Sequence, residues 1–145
     1  MSLELEGYFP KLSGDIYKLT SPKTPRYNCI AWAAENSTHF WWPVPPNFCF
    51  WPPDAPREET LECFVTTFSK YGYQPCESDD LEAGYEKVAI YVDSTGTPTH
   101  MARQLGSGTW TSKLGKLEDI EHTTLEQLEG EKSYGSAYQI LKRPI

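Results

Sequence analysis

A chain of 145 residues, 39% hydrophobic and 23% charged, has the size and balance of one globular domain and no stretch polar enough to stay unfolded. Its 13 Lys and Arg against 20 Asp and Glu, a net charge of −7, argue against nucleic acid as a partner, because affinity there comes largely from neutralising phosphates. No apolar run approaches the roughly 20 residues of a bilayer span, and MSLELEGYFPKLSG has neither the basic start nor the apolar core of an export signal; no membrane partner is expected, and a cytoplasmic location with free thiols is.

Up to about Gly14 the chain carries few periodic apolar positions and reads as loop, and TSPKTP over 20–25 is a turn-rich approach to the first regular element. The alanine-rich run NCIAWAAEN predicts a short helix with Asn28 as N-cap, Cys29 as its first residue and Asn36 as its stop. WWPVPPNFCFWPPDAP, residues 41–56, holds six prolines, which excludes a helix and leaves a ring-lined loop, either one wall of a cleft or a cover for the core. In REETLECFVTTFSKYG, Leu61, Phe64, Val65 and Phe68 follow the one-sided helical spacing, with a stop at Gly72. The acidic segment from Glu77 to Glu86 lacks calcium-loop spacing and reads as a solvated loop.

KVAIYVD reads as a buried strand, STGTP as a turn and THMARQL as a second strand. Gly106 and Gly108 bracket a turn into TWTSKLG, and SAYQILK closes the chain after the helical patch TTLEQLEG. Helices first and an antiparallel sheet afterwards, without repeats or a boundary, predict a single α+β domain over residues 1–145.

A thiol attacks as its thiolate, and a helix start favours that anion through unpaired N–H groups, which makes Cys29 the candidate nucleophile. His100 opens a strand directly after a turn and is the candidate base that takes the thiol proton and returns it to a leaving group. If the turn is Gly106, Ser107 and Gly108, Leu105 faces Thr109, Ala102 faces Ser112, and His100 shares a sheet face with Ser112, the first choice to orient the imidazole. A two-residue turn would instead bring Lys113 to that face, and His122 could reach it from the following loop. The Cys29 backbone N–H, with Tyr27 as an added donor, could hold an oxyanion; Asn28, Trp110 and Lys113 complete the candidate substrate-binding set, Lys113 for a carboxylate.

RYNCIAWAA followed by the strand-opening histidine of THMARQL resembles the papain-like cysteine hydrolase superfamily, particularly its NlpC/P60 and CHAP branches. The resemblance implies a papain-like fold, with N-terminal helices packed on a C-terminal antiparallel sheet. It also implies the order cysteine, histidine, polar residue, met here by Cys29, His100 and Ser112. More closely, YNCIAWA, HMARQLGSGTWTSKLG and the IEH and YG that follow resemble a family of small uncharacterised bacterial proteins.

The leading functional expectation is a thiol hydrolase or acyltransferase that opens an amide bond of a peptide or peptidoglycan-like substrate, with no cofactor. The alternative is a non-catalytic binding module of the same fold that uses the Trp/Pro-rich loop. A zinc site built on Cys29, His100 and a further thiol or histidine ranks third, because Cys29, Cys49, Cys63 and Cys76 form no CxxC pair, and no metal is expected.

Overall fold

The structure is a computed structural model that describes residues 3–12, 17–21, 27–35, 41–43, 51–52, 58–114, 118–130 and 133–145. In chain order these form α1 (Leu3–Tyr8), a 3-10 turn (Pro10–Leu12), β1 (Tyr17–Ser21), α2 (Cys29–Ala33), α3 (Leu61–Ser69), β2 (Gln74–Cys76) and β3 (Tyr85–Val92). There follow β4 (Pro98–Gln104), β5 (Trp110–Lys113), β6 (Asp119–His122), a 3-10 helix (Leu125–Leu128) and β7 (Ser136–Pro144). The described strands make one open antiparallel sheet in the order β1-β6-β5-β4-β3-β7-β2, so the class is α+β.

Local chemistry sets the element ends that matter for the site. Asn28 caps α2 by accepting the Ala31 N–H at 3.2 Å, and Thr60 caps α3 by accepting the Cys63 N–H at 3.1 Å. α3 buries Cys63, Phe64, Thr67 and Phe68, and the chain leaves it at Gly72, whose φ of +94° suits glycine. Between β4 and β5, Leu105 N–H donates to the Thr109 carbonyl at 2.8 Å and Gly108 N–H to the Leu105 carbonyl at 2.9 Å. That turn pairs Arg103 with Thr111 and Gln104 with Trp110, the register expected from a turn over residues 106–108.

Strand alternation divides the interior in two. Val88, Ile90 and Val92 of β3, with Met101 and Leu141, pack against α2, α3 and the rings of Trp41 and Trp51. Ala89 and Tyr91, with Ala102, Trp110 and Ile120, pack on the other side against Leu5, Phe9, Leu12, Leu125 and Leu128. Each large apolar side chain so buried contributes about 1.5–3 kcal/mol.

The N-terminus departs from the expected loop. Leu5, Phe9 and Leu12 lie at i, i+4 and i+7, all buried, and draw residues 3–12 into helical turns. β1, β2 and β6 are further strands beyond those expected. β1 and β2 are sheet edges, where an exposed Lys18 and the ring of Pro75 are tolerated. Cys49, His39 and most of the Trp/Pro loop lie outside the described residues, as does the expected helix stop at Asn36. Of the described indole rings of that loop, Trp41 and Trp51 are 5% and 1% exposed and meet edge to face at 6.4 Å in the core, while Trp42 is half-buried and meets Phe64 edge to face at 5.7 Å.

Candidate functional site

α2 sets Cys29 against β4. The thiol is 5% exposed, in the same apolar cluster as Met101, and burial pushes its pKa up to about 11 against the pull of the Met101, Ile30 and Cys29 backbone N–H groups and the Lys113 charge. The thiol therefore rests protonated at neutral pH.

His100 precedes Met101 on the alternating strand and shares its face with Tyr91, its partner on β3. The imidazole is fully buried and boxed by rings. Tyr134 stacks on it at 4.0 Å and 5°, and Tyr91 meets it edge-on at 5.1 Å. Burial, with His122 nearby, holds its pKa well below 6.5, so it is neutral. Its Nε2 lies 3.0 Å from Ser112 Oγ, whereas its buried Nδ1 has no hydrogen-bond partner among the described residues. No hydrogen bond therefore joins the Cys29 thiol to this nitrogen. Burial holds the hydroxyl of Tyr134, the ring stacked on His100, well above its usual pKa.

The parity of the β4–β5 turn brings Ser112 to His100, and from there the contacts continue. Ser112 Oγ lies 2.8 Å from His122 Nε2, and His122 Nδ1 lies 2.8 Å from the Thr124 carbonyl. Ser112 and His122 are fully buried, and burial moves His122 down to about 4. His122 is thus a residue of strand β6, not of the loop after β5 from which it was expected to reach the site.

The other candidates fall on both sides of β5. Lys113, buried on the α2 side, stands 5.4 Å over the Tyr27 ring, and burial lowers its pKa while Asp119 and the Cys29 thiol raise it. The Tyr27 hydroxyl donates to Asp119 Oδ2 at 2.5 Å, which leaves it no proton for an oxyanion. The Asn28 amide is also committed, because its oxygen accepts from the Ala31 and Trp41 N–H groups and its nitrogen donates to the Trp41 carbonyl at 2.6 Å. Trp110, 3% exposed and paired with His122, belongs to the core on the His100 side.

Tyr134 is the site residue that the reading of the sequence missed. It belongs to the YG pair noted in the sequence but follows a short acidic stretch with no periodic pattern, and the paired glycines at 130 and 135 hint at the turn that carries it. Thr99 Oγ1 fixes its carbonyl at 2.5 Å, and Gly135 is tight enough that an added Cβ would stand 2.0 Å from the Val92 carbonyl oxygen. A cleft of about 300 Å³ lies beside this turn, lined by Lys11, Asp93, Glu129, Ser133 and Gly135 among others. Among the described residues no group of three or more His, Cys, Asp and Glu side chains is placed to hold a metal ion, and no helix is long and apolar enough to cross a membrane.

The arrangement can thus hold a neutral imidazole with one occupied edge, a neutral thiol at a helix start, and a tyrosine that shields the imidazole from water. Among known proteins, the model of a family described as a domain of unknown function (DUF7689) matches residues 18–142. No curated protein and no solved structure matches significantly.

Proposed function

The chain belongs to the DUF7689 family, and from its own residues we propose that it is a papain-like thiol hydrolase or acyltransferase acting on an amide bond of a peptide or peptidoglycan-like substrate. The observation that carries the reading is the state of His100, a buried neutral imidazole held at Nε2 by Ser112 with no hydrogen-bond partner on Nδ1 among the described residues. A core histidine ordinarily satisfies both nitrogens. A base must keep one free.

In this reading substrate binding brings the thiol and Nδ1, which rest on the Met101 and Tyr91 sides of β4, into contact. His100 takes the Cys29 proton as sulfur attacks the carbonyl carbon, and the Cys29 N–H donates to the oxyanion. The imidazolium then protonates the departing amine, leaving a thioester. Water, or an acceptor amine, gives its proton to His100 as it attacks that thioester, and the thiol leaves with the proton. Because both groups rest neutral, the thiol is activated by proton transfer during attack, not as a standing ion pair.

A second reading has an observation of its own. Cys29 at 5% and His100 at 0% exposure are buried as deeply as core residues, which favours a non-catalytic module whose polar chain serves only the fold.

A small activated ester separates the two. On incubation with p-nitrophenyl acetate, the hydrolase reading expects one acetyl group on the Cys29 peptide by mass spectrometry, absent in Cys29→Ala. Acetylation of Cys63 or Cys76 to the same extent, or none at all, would favour the module.

A further inference from the structure

The Ser112 hydroxyl alone does not decide which nitrogen of His100 carries its proton. A hydroxyl can donate or accept, so a single contact at Nε2 serves either tautomer. The decision has to come from beyond Ser112, and the contacts there run in one direction only.

The far end is a carbonyl, which can only accept. Thr124 O lies 2.8 Å from His122 Nδ1, so that nitrogen carries the proton. The carbonyl is held in place by its own surroundings. Gln127 Oε1 accepts the Thr123 and Thr124 N–H groups at 2.7 and 2.9 Å, and the following carbonyl, that of Leu125, is taken by the Tyr91 hydroxyl at 2.6 Å. Neutral His122 then has only a lone pair on Nε2, which the Ser112 hydroxyl fills by donating across 2.8 Å. Ser112 has spent its one proton, so across 3.0 Å its oxygen accepts from His100 Nε2–H. In neutral His100 the lone pair is left on Nδ1, the nitrogen without a hydrogen-bond partner among the described residues.

We infer that His122 is a positioning residue which, through Ser112, fixes His100 in the tautomer that leaves Nδ1 unprotonated and basic. The role of His122 in catalysis rests on the thiol-hydrolase reading; the direction of the relay does not. Removing His122 frees the Ser112 hydroxyl to donate to either side and lets His100 take both tautomers. A fixed wrong tautomer costs a Ser-His-Asp enzyme ~10⁴-fold, and a mixture costs less.

The test is a long-range ¹H–¹⁵N correlation spectrum of the imidazoles in uniformly ¹⁵N-labelled protein at neutral pH. The expected pattern is a proton on Nδ1 of His122 and on Nε2 of His100, with bare His122 Nε2 and His100 Nδ1. A proton on His100 Nδ1 in the wild type overturns the inference and needs no variant that folds. In His122→Phe the His100 signals should move to those of mixed tautomers, and Cys29 acetylation by p-nitrophenyl acetate should fall on the order of tenfold. Unchanged His100 signals in a folded His122→Phe also overturn it. A wild type with the expected tautomers whose Cys29 is not acetylated sinks the hydrolase reading while upholding the relay.

Discussion

Two neutral imidazoles buried side by side make the fold sensitive to mild acid, and His122 gives the size of the effect. An unfolded chain protonates this residue near 6.5, whereas the folded one does so only near 4. A base with a lowered folded pKa contributes stability that is complete above the unfolded value and is lost as pH falls through the window between the two. At about 1.4 kcal/mol per unit, the span from 6.5 to about 4 is worth about 3 kcal/mol, a large share of the roughly 5–15 kcal/mol that holds a domain together. His100 is shifted in the same direction by the same burial and adds to the loss. The carboxyls of Glu82 and Asp93, lowered by Lys142 and by Thr95, start from ordinary values of 4.5 and 3.8, so their loss follows at lower pH. Urea unfolding at pH 7, 6, 5 and 4 should therefore show stability falling across the whole interval in the wild type. His122→Phe should start lower, because Ser112 and the Thr124 carbonyl lose a partner, but decline less steeply. Parallel pH profiles for the two proteins would refute the claim that His122 is held neutral by burial.

Gly135→Ala should cost about 3 kcal/mol or more, because its Cβ would meet the Val92 carbonyl oxygen at 2.0 Å and its φ is +80°; a urea midpoint within error of the wild type would contradict that geometry. Asn28→Ala removes the α2 cap and two bonds to Trp41, a loss of about 3 kcal/mol in the same assay. Tyr134→Ala uncovers the stacked face of His100, so the His100 pKa should rise towards 6.5 in an NMR titration; a value as low as the wild type's would show that the ring does not shield the site.

Much of the site's framework was legible in the sequence because parity carries it. Once Gly106 and Gly108 bracket the turn, the odd-even rule places Ser112 on the face of His100 and Lys113 on the other, and the strands follow it. Asn28 before an alanine-rich run likewise announced α2. The strand carrying His122 was hidden because Asp119–His122 has four residues and one apolar side chain. Its buried Asp119 is made tolerable by the hydroxyls of Ser21 and Tyr27, from segments far away in the chain. Burial of the thiol and imidazole was equally unreadable, since Tyr134 comes from a turn some thirty residues beyond His100 and no local pattern points it there. The N-terminal helical turns did carry a signal, the spacing of Leu5, Phe9 and Leu12, spread too thinly over polar neighbours to stand out.

The central claim is that His100 activates Cys29, and the rate of Cys29 acetylation by p-nitrophenyl acetate at pH 7 in wild type and His100→Ala tests it most directly. The account predicts a fall of about 100-fold or more on loss of the base. Equal rates in two folded proteins would contradict it.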